Sequence, residues 1–210
     1  ADTKIQKEEV NIDVLDSTNI FHVGSLSLTD QPARDTTFYA VKRAKNKGSM
    51  ISYDPNYRAS LWKDEETAKQ HMRSLVPYAD LMKISDEEAE LLTDCKEVSK
   101  AAEILYQQGV KIVAITLGGK GAYIYSGEGG CMVPGFSVTK VEDTNGAGDS
   151  FWGGFLYKIS TSGKKLGELT QEELVRYARF GNAVASLCVE KKGAIPAMPN
   201  LQQVEERMGK

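Results

Sequence analysis

Short apolar runs recur along the first two thirds of the chain, and capped or amphipathic stretches separate them. The runs are predicted to be strands at Asn19–Val23, Met50–Tyr53, Leu81–Ile84, Lys111–Thr116 and Ala122–Tyr125. The stretches between them are predicted to be helices at Pro32–Lys47, at Thr67–Leu75, from Ser85 onward, and from Ser99 to Gly109. This alternation favours an α/β fold in which helices cover both faces of a mostly parallel sheet.

The last third of the chain is predicted to be mainly helical. One or two strands are expected within Cys131–Lys140, around a Pro134-Gly135 turn, and a helix over Asp149–Ile159. Capping boxes at Thr170 and Asn200 open two further helices, the first running to about Val189. No repeat or long linker interrupts the sequence, so residues 1–210 are predicted to form a single domain.

The N-terminal stretch Ala1–Ser17 is polar and shows no clear period, so no element is predicted there. Its first residues lack the character of a signal peptide. His22 lies in the first apolar run and is interpreted as a core histidine with a hydrogen-bond partner. The two histidines of the chain, His22 and His71, cannot form a metal site by themselves.

Composition narrows the classes of partner. The 210 residues carry 26 basic and 29 acidic side chains, a formal net charge of −3, which gives no electrostatic footprint for nucleic acid or an anionic membrane. No apolar run approaches the length of a membrane span. The three cysteines, Cys95, Cys131 and Cys188, are far apart and indicate free thiols in a reducing compartment, so the cytoplasm is the expected location.

The candidate chemistry is concentrated in Val141–Phe155. Gly146, Ala147 and Gly148 expose consecutive backbone N–H groups at the start of a predicted helix, which is a favourable place for an anion. Asp149 follows in the first helical turn, where it would repel a static anion but could face a hydroxyl that attacks a phosphoryl group. A glycine-rich turn with an acidic helix cap explains the same residues without any chemistry, and both interpretations stay open at this point.

Two better-known glycine motifs are excluded by spacing. A dinucleotide fingerprint would need a third glycine at position 151, which is Phe151. A P-loop would need Gly-Lys followed by Ser or Thr, and neither Gly119-Lys120 nor Gly163-Lys164 is followed by one.

Asp143–Phe151 resembles the C-terminal signature of the ribokinase-like, or phosphofructokinase-B type, sugar kinases. Four further segments resemble motifs of that family in the same order: Asp54–Arg58, Ser85–Glu88, Thr116–Gly121 and Asn182–Pro199. The resemblance implies a ribokinase-like three-layer α/β/α fold with a mostly parallel central sheet. It also implies that ATP, Mg²⁺ and a small sugar are the ligands.

For the transfer step, the resemblance implies that Asp149 is the general base and that Gly146, Ala147 and Gly148 form an anion hole. Arg58 is expected to stabilise the transferring charge. The segment that contains it, Asp54-Pro55-Asn56-Tyr57-Arg58, is also ordinary turn chemistry.

For ligand binding, the resemblance assigns further residues to the nucleotide and the metals. The nucleotide is expected to contact Thr116, Gly118, Gly121, Asn182 and Gly193. Glu88 is expected to hold Mg²⁺ through water, and Asp143 to contribute to a monovalent-cation site for K⁺. Local structure alone would also explain several of these residues, since Ser85-x-x-Glu88 is a complete capping box. The family has Asn where this chain has Ser85, which puts a ligand role for position 85 in doubt.

Phe21–Arg34 and Asp54–Arg58 resemble the fructokinase branch, which implies transfer of phosphate from ATP to fructose to give fructose 6-phosphate. Family members carry an N-terminal portion, with the first strands, the lid and most sugar contacts, that nothing in this chain resembles. The chain is therefore expected to be a C-terminal portion, inactive alone and with an exposed sheet edge, of a full-length parent for which a homodimer is considered. Open alternatives are another sugar or nucleoside kinase of the family and a non-catalytic nucleotide-binding module; a dinucleotide oxidoreductase is opposed by the glycine spacing.

Overall fold

The computed structural model describes residues 2–209. The chain divides into two compact units, Ala1–Ala114 and Ile115–Lys210. Within the described residues, no helix has the length and apolar character that a membrane span requires.

The first unit alternates helices and strands. In chain order its elements are α1 (Ile12–Ser17), β1 (Ile20–Gly24), α2 (Ala33–Asn46), β2 (Met50–Asp54), α3 (Glu65–Leu75), β3 (Leu81–Ser85), α4 (Asp86–Thr93), α5 (Val98–Gln107) and β4 (Ile112–Thr116), the last of which ends just inside the second unit. Every strand and helix predicted in this region is present, within a few residues at each end. Short 3₁₀ turns connect several of them.

The strands of the first unit pair in parallel. β1 aligns with β2 from Ile20 opposite Met50 to Gly24 opposite Asp54, and β2 aligns with β3 through Tyr53 opposite Met82. Residues 51–54 of β2 and 81–84 of β3 are buried without alternation, as expected for strands covered on both faces. Because the strands are parallel, the polar residues that end β2 and β3 lie at the same edge of the sheet.

Two expectations for the first unit are corrected. His22 is exposed, because β1 is the terminal strand of its sheet and the face that carries this ring is open; its Nδ1 lies 2.9 Å from Ser52 Oγ. The N-terminal stretch is not without structure, because it contains α1 and two 3₁₀ turns. The Asn11 side chain caps α1 by accepting a hydrogen bond from the N–H of Val14.

The second unit contains a two-stranded antiparallel ribbon and three helices. Its elements are β5 (Gly121–Ser126), β6 (Gly129–Pro134), α6 (Ala147–Thr161), α7 (Gln171–Cys188) and α8 (Leu201–Arg207). The capping boxes at Thr170 and Asn200 form as predicted. The strand expected within residues 131–140 begins earlier, at Gly129, and ends at Pro134, and no second strand follows it.

Helices α6 and α7 pack closely because glycines lie where they cross. A Cβ atom added to Gly154 would lie 2.9 Å from Val184 Cγ2, and one added to Gly181 would lie 2.7 Å from the carbonyl oxygen of Phe151. Trp152 and Phe155 stack beside this crossing with their ring centroids 5.1 Å apart. Residues 151–155 of α6 are therefore packed against the middle of α7 by close, buried contacts.

Candidate active site

The glycine turn of the second unit has the conformation that an anion site at a helix N-terminus requires. Gly146 is the N-cap of α6 and has a φ of 76°, a left-handed conformation that glycine adopts without strain. The N–H of Ala147 donates to the carbonyl of Thr144 at 3.2 Å. Among residues 2–209, the N–H groups of Gly148 and Asp149 donate to no protein acceptor, so they are the groups free to bind a ligand.

The Asp149 side chain lies in the first turn of α6 and is exposed. Its carboxylate forms no hydrogen bond or ion pair with any other residue in the described part of the chain. A helix-capping role would engage such a carboxylate with nearby backbone N–H groups. This arrangement leaves the carboxylate available to a bound molecule.

A loop after α7 is tied to the glycine turn through Asp143. One oxygen of this carboxylate accepts from the N–H of Asn145 at 2.9 Å and the other from the N–H of Gly193 at 3.0 Å. These two backbone hydrogen bonds, first to Asn145 and then to Gly193, hold the pKa of Asp143 below its ordinary value. The next residue, Ala194, lies close to Gly146, so the predicted residues Asp143, Gly146 and Gly193 are brought together.

A cavity of about 260 Å³ within the second unit gathers most of the predicted nucleotide residues. Its wall includes Thr116, Gly118, Gly121 and Asn182 together with Ala147 and Gly148 of the glycine turn. Apolar residues, among them Phe136 and Val189, form much of the remaining wall. Asp149 and Gly193 are not part of this wall; Asp149 follows the wall residue Gly148 in the chain.

The turn after β2 in the first unit is fixed by two buried carboxylates. Asp54 accepts from the N–H of Asn56 at 3.1 Å, and Asn56 has a left-handed φ of 48°. Glu88 accepts from the N–H of Tyr57 at 2.7 Å through Oε1 and from the N–H of Ser85 at 2.8 Å through Oε2. Glu88 therefore completes the predicted capping box and also anchors the neighbouring turn.

Lys83 supplies the positive charge beside these carboxylates. Its Nζ lies 2.8 Å from Asp54 Oδ2, and both side chains are almost completely buried. Burial, together with the negative charges of Glu88 and Asp54, raises the pKa of the Tyr53 phenol well above its usual range. Sequence reasoning missed this lysine, although a charged residue within the apolar run Leu81–Ile84 was a signal that a buried partner exists.

Arg58 lies at the end of this turn and is exposed. Its guanidinium donates to the carbonyl of Tyr57 at 3.0 Å, and it forms no salt bridge with a carboxylate among the residues that the structure describes. The guanidinium is therefore available to an anion. Within residues 2–209 there is also no cluster of three or more His, Cys, Asp or Glu side chains able to hold a metal ion.

Solved structures with the same fold include sugar and riboside kinases. A fructokinase from Vibrio cholerae O395, crystallised with fructose, ADP and potassium, matches 98% of this chain with a TM-score of 0.88 and 30% identity, and the match covers 64% of that protein. A fructokinase from Xylella fastidiosa with bound ATP matches 98% of the chain with a TM-score of 0.89 and 30% identity, and the match covers 66% of it. The aminoimidazole riboside kinase of Salmonella enterica matches the whole chain with a TM-score of 0.84 and 26% identity, over 68% of its own length. These similarities confirm the predicted ribokinase-like α/β fold.

Sequence relatives agree with the structural ones. Fructokinase-2 of Oryza sativa subsp. japonica is 38% identical over the whole chain, and probable fructokinase-5 of Arabidopsis thaliana is 36% identical over 99% of it. The chain spans only 62% and 64% of the lengths of these two proteins. The family model for pfkB family carbohydrate kinases matches residues 1–201. The chain therefore belongs to the pfkB family of carbohydrate kinases, as the sequence motifs predicted.

Proposed function

We propose that the full-length protein containing this chain is an ATP-dependent fructokinase, which transfers the γ-phosphoryl group to fructose and forms fructose 6-phosphate. The observation that carries the proposal is the unpaired Asp149 carboxylate directly after the two free N–H groups at the start of α6. A base next to an anion site is what phosphoryl transfer to a hydroxyl requires. The 38% identity with a rice fructokinase supports fructose as the acceptor.

In the proposed mechanism, the start of α6 stabilises the transferred group. The free N–H groups of Gly148 and Asp149, with the glycine turn before them, offer fixed donors to the negative charge that develops on the phosphoryl oxygens. Asp149 orients the attacking hydroxyl and takes its proton late in the step, when bonding to phosphorus has made the hydroxyl acidic. The adjoining cavity holds the remainder of the nucleotide, with Thr116, Gly118, Gly121 and Asn182 in its wall.

For the first unit, the proposal assigns Arg58 to the transferring charge and Glu88 to Mg²⁺. Each Glu88 oxygen already accepts one backbone N–H, which leaves each with capacity for a water hydrogen. That arrangement fits contact with Mg²⁺ through water, and the ion itself would neutralise phosphate charge. Asp143 is assigned to a K⁺ site, for which the potassium-bound Vibrio cholerae fructokinase gives support.

The proposal extends to the organisation of the protein. The family model spans both compact units, which supports one kinase domain. The relatives extend beyond this chain, so the 210-residue chain alone should bind nucleotide weakly and phosphorylate sugar hardly at all, because positioning of both substrates supplies much of the rate. A cytoplasmic location and a homodimeric full-length protein remain part of the proposal.

A second candidate function is phosphorylation of a riboside. The Salmonella aminoimidazole riboside kinase resembles this chain over its whole length at 26% identity, below the 30% of the Vibrio fructokinase. A panel of fructose, ribose, adenosine, fructose phosphates and aminoimidazole riboside on the full-length protein separates these functions. Fructose is expected to give the highest kcat/KM, and a tenfold preference for any other acceptor contradicts the fructokinase proposal.

The catalytic assignment is tested by Asp149→Asn in the full-length protein. This change keeps the side-chain shape and removes the base, so kcat should fall about 10²–10⁴-fold while ATP affinity hardly changes. If Asp149 were only a helix cap, Asn would replace it with little effect on kcat. Asp35→Asn, in the first turn of α2, is the matched control and should leave kcat unchanged.

A further inference from the structure

Residues 136–141, the wall segment, form part of the 260 Å³ cavity in the second unit and contain neither helix nor strand. Three of these residues lie in the cavity wall: Phe136, Val138 and Val141. Backbone hydrogen bonds fix the chain just before the segment, through the N–H of Gly135, and just after it, through the N–H of Glu142. Because no strand pairs with the six residues in between, their conformation depends on side-chain contacts.

An ion pair outside the cavity wall holds the wall segment at two points. Arg207 ends α8 and Glu190 follows α7, and Nη2 of the arginine lies 2.6 Å from Oε2 of the glutamate. Nη1 of Arg207 donates to the carbonyl of Ser137 at 3.5 Å and to Oγ of Ser186 at 3.1 Å. The other oxygen of Glu190 accepts from the N–H of Thr139 at 3.3 Å. Among residues 2–209, no other group outside the wall segment bonds its backbone.

This pair is better shielded from water than an ordinary surface pair. The side chains of Arg207 and Glu190 are only 20% and 22% exposed, whereas those of Arg176 and Glu172, a pair in the same unit, are 58% and 83% exposed. The planar guanidinium presents several donors at once, so one side chain can bind a carboxylate and the Ser137 carbonyl together. Contacts of this kind restrict the wall segment more than an exposed ion pair would.

The helix that carries Arg207 is held in place by apolar packing as well. Val204 of α8 is buried against Phe180 of α7, and Phe136 of the wall segment packs against the same cluster. The guanidinium of Arg179 lies 5.2 Å from the centre of the Phe136 ring. Loss of the ion pair should therefore loosen the wall segment without detaching α8.

We propose that Arg207 and Glu190 are positioning residues for the nucleotide, because together they hold the wall segment in the conformation that fits bound ATP. This inference rests on the proposed kinase function, under which the nucleotide occupies the cavity. A loose wall must be ordered when the ligand binds, and that ordering reduces affinity. The groups proposed to react lie at the start of α6, so loosening the wall should weaken ATP binding and spare the transfer step.

The first test follows the wall segment in the 210-residue chain without nucleotide. Arg207→Met keeps an apolar stem and removes the guanidinium. Backbone order parameters of residues 136–141, measured by NMR relaxation, should fall from about 0.85 to below about 0.6, while those of α6 stay near 0.85. Order parameters that do not change, or that are already low in the unchanged chain, contradict the proposal whatever the protein catalyses.

The second test measures kinetics in the full-length protein. Arg207→Met and Glu190→Met should each raise the KM for ATP about three- to tenfold, the equivalent of about one hydrogen bond. The kcat and the KM for fructose should change less than about twofold. Because the two residues act as one unit, the double variant should raise the KM for ATP no further than the larger single effect.

Arg176→Met is the matched control, since it removes an ion pair of the same unit that is not part of the cavity wall. It should leave the KM for ATP unchanged. Circular dichroism and thermal unfolding establish that each variant is folded. If Arg207→Met is not folded, Arg207→Lys decides: one ammonium cannot reach both Glu190 and the Ser137 carbonyl, so the KM for ATP should still rise about twofold or more.

The outcomes separate this inference from the proposed function. If Arg207→Met lowers the Tm but leaves the KM for ATP unchanged, the ion pair has a structural role only, and the inference is wrong while the kinase proposal stands. If the unchanged full-length protein phosphorylates no sugar, the kinase proposal is wrong, and the nucleotide role of Arg207 and Glu190 is wrong with it.

Discussion

The two turns that carry the candidate chemistry are held in different ways. The Asp54–Arg58 turn of the first unit is held by charge, because the buried carboxylates of Asp54 and Glu88 bind its N–H groups. The Gly146 turn of the second unit is held by backbone conformation and by close packing against Ala194. The first turn should therefore tolerate changes of size better than changes of charge, and the second the reverse.

The two turns also differ in the groups that they leave free to bind a ligand. In the first unit the backbone N–H groups are consumed by carboxylates, and an exposed guanidinium remains for ligands. In the second unit the free donors are the backbone N–H groups of Gly148 and Asp149. They can bind a ligand only if no side chain covers them. The two turns are thus made rigid in different ways, one by buried charge and the other by glycine conformation and close packing.

The largest expected effect is on stability and comes from Lys83→Met. The change removes the positive charge that lies 2.8 Å from the buried Asp54 carboxylate, and breaking such a buried pair is strongly destabilising. The free energy of unfolding should fall by about 3–5 kcal/mol, measured by urea denaturation.

The charge origin of that loss is tested by two further variants. The double variant Asp54→Asn/Lys83→Met should recover most of the lost stability, since a neutral pair carries no buried charge. Lys45→Met removes a lysine from the buried Asp80, which keeps Lys111 at 3.0 Å and should lose clearly less. A loss below about 1 kcal/mol for Lys83→Met would show that charge does not hold the first turn.

A smaller effect is expected from Gly146→Ala. The new Cβ would lie 2.7 Å from Ala194 Cβ and occupy a left-handed backbone position, so stability should fall by about 1–3 kcal/mol and nucleotide affinity should fall with it. Thermal unfolding and an ATP titration measure the two effects.

Gly153→Ala is the matched control for this substitution. Gly153 lies within the same helix, and an added Cβ meets nothing within 4 Å. Alanine there should stabilise α6 by up to about 1 kcal/mol. Equal responses at positions 146 and 153 would mean that neither conformation nor packing fixes the glycine turn.

The smallest effect is local and depends on pH. The lowered pKa of Asp143 means that its hydrogen bond to the N–H of Gly193 is present above the ordinary value of 3.8 and is lost only as the pH falls through the lower pKa of the folded protein. The amide proton shift of Gly193, followed by NMR, should stay constant from pH 7 to about pH 4 and titrate with a midpoint below 3.8. A midpoint at or above that value would contradict the tie between Asp143 and the loop.

The sequence predicted the elements whose signals are local. Thr170 and Asn200 predict helix starts because each capping box is complete within four residues. The strands β2 and β3 could be predicted from their own apolar runs, without knowledge of the residues they pack against. The exposure of His22 could not be read from its own run, because it depends on whether another strand covers that edge. Helix α1 was missed because it is short and rests on a single cap at Asn11.

In the candidate site, too, the residues that sequence identified are those with a local signal, and the ones it missed depend on tertiary contacts. Asp149 and the glycines were identified because they are contiguous and resemble a family signature. Their roles stay predictions until tested. The Lys83–Asp54 pair joins residues on different strands, and the orientation of Asn182 depends on the carbonyls that end β6. Such contacts arise only from tertiary pairing, which no spacing along the chain encodes.

The close crossing of α6 and α7 also bears on the width of the cavity. A Cβ atom added to Gly181 would lie 2.7 Å from the carbonyl oxygen of Phe151, and the next residue along α7, Asn182, lies in the cavity wall. On the other helix, Gly148 lies in the same wall, three residues before Phe151. A side chain at position 181 would push the two helices apart and widen the wall between Gly148 and Asn182, so a glycine outside the wall controls the fit of whatever the cavity binds.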